Sequence, residues 1–422
     1  MRTLPGMLRR MLELRRQLGT RDMVRYLWRR LMKKAALEPA DIVGAYDFVT
    51  VAPFGSNPGT HLDPRTITWF VPDFDIGSGG HINIFRLVYN LESLGYTCHI
   101  ALVGPCRYTD VEATRRLITE HFSPVKASVS IGTEAVPPAF YVVATSWVTA
   151  YYARAFRGAA HRVYFVQDFE PAFFPVGSHS VLAENTYRFG FFGITAGGWL
   201  ATKLATDYGM ATHAIGFASE AQRYTPKIRR KPEVPTVFFY VRPPTSRRAF
   251  ELGILVLNEV AHQVPAAQFV LAGWDVSGYR IPFPHLNAGS VALDDLADLY
   301  SQCDIALVLS CTNLSLLPLE LMACGVAVVS NRGPNVEWLL NEDIAALADP
   351  TVEDLSAAIV ELLGDDPRRL AIAARGLEFV RDSDWGHEAR RFADGLERLG
   401  ATDEAVEETP TGKPDRARAR LA

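Results

Sequence analysis

The strongest constraint on this chain is a rhythm of short apolar runs and amphipathic stretches that plays through once, breaks, and begins again. Thr66–Val71 reads as a buried strand, followed by the loop Pro72 to Gly80 and a helical pattern through Leu94. Thr97–Val103, Phe140–Ala144, Arg162–Val166 and Gly190–Thr195 read as further strands, with helices between them, one at Glu112–His121. A βαβ series of this kind closes into a parallel sheet covered on both faces. The polar, basic, proline-bearing stretch from Tyr224 to Pro235 interrupts it and reads as a linker. The rhythm then resumes with strands at Thr236–Val241, Gln268–Ala272, Leu286–Val291, Asp304–Leu309 and Val326–Val329. Helices at Arg248–Gln263, Leu293–Gln302 and Leu316–Ala323 alternate with them, the last stopped at Cys324-Gly325. The expected fold class is α/β, with two doubly wound domains facing across a cleft.

The expected boundaries are a basic amphipathic helical arm at 1–40, an N-terminal domain at 41–224, a linker at 225–235 and a C-terminal domain at 236–380. A helix at 381–399 is expected to pack back on the N-terminal domain, and 400–422 reads as a disordered, charged tail. A hydrophobic fraction of 48% over 422 residues excludes global disorder. The net charge of −4 excludes a nucleic-acid polycation, so no nucleic-acid partner is expected. Five Cys without a C-x-x-C argue against a disulfide framework or a zinc site, and no metal is expected. Residues 1–34 carry eleven Lys or Arg against Glu13 and Asp22, so they sum to +9 and the remainder to −13. With Trp28 and a Leu/Met face, this arm suits an anionic membrane surface, or packing on its own domain or a second subunit. No apolar run approaches a membrane span, and charges interrupt the start where a signal peptide would be apolar. The expected location is cytoplasmic, with peripheral attachment to the inner face of the cell membrane through the arm.

Gly77-Ser78-Gly79-Gly80 follows a strand and opens a helix, so the backbone N–H groups of Gly79 and Gly80 can receive a phosphate or a sugar hydroxyl. A tight turn before a helix is the plainer alternative. A nicotinamide or flavin site would want an acid at the end of the second strand, where this chain has Leu102-Val103-Gly104-Pro105. His81, after the glycines, is either an acceptor contact or a solvated residue at a helix start. Asp168 and Glu170 follow a strand end, where either can deprotonate or orient a hydroxyl, or simply form a loop rim. Glu320 sits inside an otherwise apolar helix, where a carboxylate needs a partner.

At these residues the chain resembles a known family. Phe70-Val71-Pro72 through Gly80-His81, with Leu87 to Leu94, is similar to the first unit of GT-B glycosyltransferases. Leu317 through Val329 resembles the nucleotide-sugar segment of the GT4-like branch. Phe239-Tyr240-Val241-Arg242-Pro243, Phe250-Glu251-Leu252-Gly253 and Val166-Gln167-Asp168-Phe169-Glu170-Pro171 resemble WsaF-type rhamnosyltransferases. The likeness spans roughly residues 65–380. It implies a GT-B fold of two Rossmann-like domains, an acceptor domain followed by a donor domain. It also implies transfer of a sugar from a nucleotide-diphosphate donor, dTDP-L-rhamnose above all, to a glycan or lipid-linked acceptor in cell-surface polysaccharide synthesis, with retained anomeric configuration. The nucleotide-sugar is then a co-substrate, and no cofactor is needed.

The same likeness assigns Arg242 and Arg247 to the diphosphate, with Arg248 an alternative to Arg247. Both Arg247 and Arg248 can instead cap a helix start, although cations oppose the dipole there. The backbone of Ser315 and Leu316 would face the diphosphate and Glu320 the ribose, a structural bond being the alternative for Glu320. Relatives commonly carry a second Glu eight positions before Glu320, and this chain has Thr312. That departure argues against a simple glucose or mannose donor. It also keeps open a non-catalytic nucleotide- or glycan-binding subunit. A nucleotide-sugar epimerase shares the fold, but its histidine and acidic pattern is not apparent.

Overall fold

The computed structural model describes residues 41–57, 62–220, 222–230 and 233–407, without the side chains of 402–407. The basic arm at 1–40 and residues 408–422 of the expected tail lie outside the described residues. The chain divides into two units, one ending at Val51 and one beginning at Ala52. In the first, a one-turn helix Ile42–Ala45 is capped by Asp41, whose carboxylate accepts from Gly44 N at 2.8 Å, and a 3₁₀ turn Asp47–Thr50 follows.

The second unit holds two parallel sheets. The first comprises β1 (Thr66–Val71), β2 (Thr97–Leu102), β3 (Ser128–Ile131), β4 (Ala139–Ala144), β5 (Ala159–Val166), β6 (Phe192–Ala196) and β7 (Thr212–Ile215), in the order β3-β2-β1-β4-β5-β6-β7. The second comprises β8 (Thr236–Tyr240), β9 (Gln268–Ala272), β10 (Leu286–Gly289), β11 (Ile305–Val308), β12 (Ala327–Asn331) and β13 (Ala345–Ala348), in the order β10-β9-β8-β11-β12-β13. Strand order reverses between β1 and β4 in one sheet and between β8 and β11 in the other, the places where such sheets receive ligands. The central strands are continuous apolar runs because helices cover both faces, as in Thr66–Val71, where every residue but the first is buried.

Three edge strands, β3, β7 and β13, were not legible in sequence. Each is four residues long, and Ala345-Ala346-Leu347-Ala348 has helix-forming composition that the sheet edge overrides. The C-terminal helix runs Trp385–Glu407, so residues 400–407 are helix and not tail. Ala401, Glu404, Ala405 and Glu407 are good helix formers, and they extend the segment past Leu399.

That helix completes the N-terminal core. Ala389, Phe392, Ala393 and Leu396 are buried with Trp69, Val163 and Phe165, the Phe392 ring lying 5.4 Å from Trp69 and 5.7 Å from Phe165. Tyr141 donates to the carbonyl of Leu396 at 2.8 Å. The chain therefore passes between the domains twice, after β7 and again before Trp385. The two passes are tied together where Ser219 N donates to Ser383 Oγ at 3.0 Å.

Candidate functional site

The carboxyl ends of the two sheets meet across the loops after β5, β6, β8 and β11. From the N-terminal domain, Asp168 Oδ1 accepts from Asn313 N at 2.8 Å and from Phe169 N at 2.8 Å, and Oδ2 accepts from Thr312 Oγ1 at 3.0 Å. Arg247 Nε stands 3.3 Å from the same Oδ2. Asn313 returns the attachment, donating from Nδ2 to the carbonyls of Gln167 at 2.9 Å and Ala196 at 2.7 Å. Thr312 and Asn313 are buried, so these bonds are made away from water, where an unpaired group is costly. A carboxylate thus stands beside position 312 after all, supplied by the other domain.

The three arginines after β8 part company. Arg242 is exposed, with Nη1 donating to Tyr240 Oη at 3.2 Å. Arg247 is turned onto the N-terminal domain, its guanidinium carbon 3.9 Å from the centroid of the Phe173 ring. Arg248 donates to Ser310 Oγ at 2.7 Å and to the Asn313 carbonyl at 3.3 Å, which makes it an internal tie of the loop after β11.

Glu320 lies on the short helix Leu317–Ala323, with Ser315 and Leu316 half-buried just ahead of it. Its Oε2 accepts from Tyr300 Oη at 3.4 Å, and Tyr224 is a second hydroxyl donor. Burial pushes its carboxyl up to about 7, against those hydroxyls and the nearby Arg86 and Arg223. Arg86 comes from the first helix of the N-terminal domain, Gly79–Ser93. The same helix carries Asn83, whose Nδ2 donates to Gln167 Oε1 at 3.1 Å.

Gly79 and Gly80 form the first turn of that helix, with Gly77 ahead of them in a left-handed conformation at φ +83°. A Cβ at Gly79 would meet no protein atom, and one at Gly80 would meet only the Gln167 side chain at 3.6 Å. His81 is not the solvated residue the sequence allowed. Its Nδ1 shares a hydrogen with Ser78 Oγ at 2.8 Å, its ring lies 5.5 Å from Phe74, and burial lowers its pKa to about 4.

Glu170 requires a correction. Its Oε2 accepts from Trp147 N at 2.8 Å at the start of helix Trp147–Ala155, and its Oε1 accepts from Tyr164 Oη at 2.7 Å. At 6% exposure one oxygen is committed to the start of that helix and the other to Tyr164 on β5, and burial raises its pKa to about 7. Of the two acids after β5, Asp168 is the one at the domain junction. Sequence reasoning missed Arg86 and Asn313 as site neighbours, and met Thr312 only as a departure from its relatives. The bonds of Thr312 and Asn313 to the N-terminal domain span more than a hundred residues of sequence, and nothing local in residues 310–315 names the partner.

Residues 235–360 match the family described as WsaF, C-terminal domain. The O-antigen biosynthesis protein RfbC of Myxococcus xanthus is 31% identical over 360 residues, covering 80% of this chain and 27% of that relative. The chain therefore spans about a quarter of the curated relative's length. Sucrose-phosphate synthase from Thermosynechococcus elongatus superposes with a TM-score of 0.61 at 14% identity, over 80% of this chain and 99% of that one. HepE of Anabaena, solved with UDP and glucose, gives 0.59 at 15% over 78% and 99%. WaaG, a glycosyltransferase involved in lipopolysaccharide biosynthesis, gives 0.52 at 13% over 78% and 99%. The architecture is the GT-B fold, as the sequence resemblance implied, and residues 235–360 are similar to the WsaF C-terminal domain.

Proposed function

We propose that this chain, a GT-B protein with a C-terminal domain of the WsaF type, is a glycosyltransferase of O-antigen or related cell-surface polysaccharide synthesis. The donor is a nucleotide-diphosphate sugar, dTDP-L-rhamnose in the narrowest form of the reading, and the acceptor is a glycan or lipid-linked saccharide. The observation that carries it is the junction of Asp168, Arg247 and Thr312 between the ends of two sheets, with Glu320 on the helix that follows. Arg242 and Arg247 meet the diphosphate and stabilise charge developing on it as the glycosidic bond breaks. Glu320 accepts from the ribose hydroxyls, with the backbone of Ser315 and Leu316 beside the phosphates. Gly79 and Gly80 let donor or acceptor approach the first helix, since the protein itself asks for no side chain to be missing there. His81 contacts the acceptor as a neutral imidazole.

Asp168 is the group that orients or deprotonates the acceptor hydroxyl. To do so it must release Arg247, which an incoming diphosphate draws away. The same occupied state of Asp168 favours a second reading, a binding subunit that never turns over. The purified protein should release dTDP from dTDP-L-rhamnose in proportion to added glycan acceptor, with the sugar found on the product by mass spectrometry. Donor binding with no release would support the binding subunit. Interconversion of donor sugars without acceptor would make it an epimerase.

A further inference from the structure

We propose that Tyr187 is a positioning residue for Asp168, its hydroxyl stapling the two ends of the turn that carries this acid. The inference deepens the reading of Asp168 given above and rests on it. It places the setting of the acid in the N-terminal domain, although most partners of the carboxylate lie in the other.

The turn begins where β5 ends, at Val166, and runs into the 3₁₀ turn Glu170–Phe173. From its own domain the Asp168 carboxylate receives, among the described residues, one hydrogen bond, from Phe169 N at 2.8 Å. That bond closes on the turn itself and fixes it to nothing. Thr312, Asn313 and Arg247 belong to the C-terminal domain, and Arg247 has to leave before the acid can act. Whatever keeps the acid in register while those contacts change must grip the backbone from the N-terminal side. On the strand side Gln167 does so, donating from Nε2 to the Gly80 carbonyl at 3.1 Å and accepting from Asn83 Nδ2 at 3.1 Å. The far side of the turn falls to Tyr187.

Tyr187 touches all three residues from Asp168 to Glu170. Its hydroxyl accepts from Glu170 N at 3.1 Å and donates to the Asp168 carbonyl at 3.4 Å, the longer of the two bonds. Its ring lies 5.8 Å from the Phe169 ring, with 26° between the planes. The residue is 1% exposed, so water does not compete for the hydroxyl. Burial, and then the Glu170 charge, push its pKa well above the usual tyrosine value, which keeps the donor proton in place. Tyr187 is itself held on the 3₁₀ turn Thr186–Arg188, with Tyr164 at 5.8 Å and Tyr208 at 5.2 Å from its ring. Glu170 is anchored in turn through its carboxylate to Trp147 N and Tyr164 Oη, so the staple joins the acid to a fixed point. Without the hydroxyl, the peptide after Asp168 loses that hold and the carboxylate moves with it.

The test is steady-state release of nucleotide diphosphate by the full chain from dTDP-L-rhamnose and, separately, UDP-glucose. Octyl α-L-rhamnoside, octyl β-D-glucoside and water alone serve as acceptors, and calorimetry with dTDP and UDP reads nucleotide affinity beside turnover. Tyr187→Phe keeps the ring and loses the hydroxyl, and para-fluorophenylalanine in place of Tyr187 fills the hydroxyl's space without a donor. Both should lower kcat by about tenfold, the scale of a displaced general base, with nucleotide affinity unmoved. Tyr164→Phe removes another buried hydroxyl, one bonded to the Glu170 side chain at 2.7 Å and not to the backbone of the turn, and should keep kcat near wild type. Asp168→Asn should lose nearly all turnover, and adding Tyr187→Phe to it should cost nothing further, because the two act through one group. An unchanged kcat in Tyr187→Phe, an equal fall in Tyr164→Phe, additive losses in the double variant, or failure of both Tyr187 replacements to fold each overturns the proposal. Full turnover in Asp168→Asn would defeat the reading of Asp168, and this inference with it, while leaving a transferase. If the wild type releases nothing from either donor, the transferase reading fails first and this inference falls with it.

Discussion

Arginine serves three ends within the seven residues Arg242–Arg248. Arg248 is spent on the loop after β11, Arg247 reaches the other domain, and Arg242 stays in solvent bonded to a tyrosine hydroxyl. Only the last can turn to a ligand at the cost of a single exposed hydrogen bond. Arg242→Ala should therefore weaken donor binding by about 1.5–3 kcal/mol, the scale of one charge-assisted hydrogen bond, while the melting temperature stays put. Calorimetry and thermal unfolding on the same sample check both halves. Equal donor affinity in the variant would remove Arg242 from the diphosphate. Spacing in the sequence placed these arginines near one another but could not separate them, since which way each side chain turns is decided by Ser310, Asp168 and Phe173, all distant in sequence.

At the scale of elements, the loop after β11 does the joining. Asn313 supplies the donors for two carbonyls of the N-terminal domain, and Thr312 and the Asn313 amide grip Asp168. Nearby, Gly197 packs so closely under Trp338 of the other domain that a Cβ there would stand 2.6 Å from the indole. Asn313→Ala should cost about 2–4 kcal/mol, since it strands the carbonyls of Gln167 and Ala196 in a buried site. Chemical denaturation should register that loss, and small-angle scattering should show the domains more widely separated. A variant as stable as wild type would mean the loop is held by its apolar neighbours alone. The central strands and long helices were legible because their apolar runs are buried on both faces. β13 was not, because neighbouring strands, not its own alanines, make it a strand. The docking loop was unreadable for a related reason: a buried Asn announces a partner without naming it.

For the whole molecule, the helix Trp385–Glu407 belongs by sequence to the second domain and by packing to the first. Phe392 is fully buried between Trp69 and Phe165, so Phe392→Ala should destabilise by about 3–5 kcal/mol. The loss should appear in the N-terminal domain, as faster hydrogen exchange in β1 and β5 ahead of the C-terminal sheet. If exchange rises first in the C-terminal sheet, the helix is not a working part of the N-terminal core. No helix among the described residues is long and apolar enough to cross a membrane.

The return of that helix also sets a timetable. A ribosome that has just finished β7 has about 180 residues still to add before Phe392 can reach Trp69, roughly nine to thirty-five seconds of synthesis. Throughout that interval the N-terminal core lacks the part supplied by Ala389, Phe392, Ala393 and Leu396, which leaves Trp69 and Phe165 without that cover, a target for chaperones and proteases. The C-terminal sheet is translated inside the same interval. A half-made chain therefore cannot present a finished N-terminal domain before the second sheet exists.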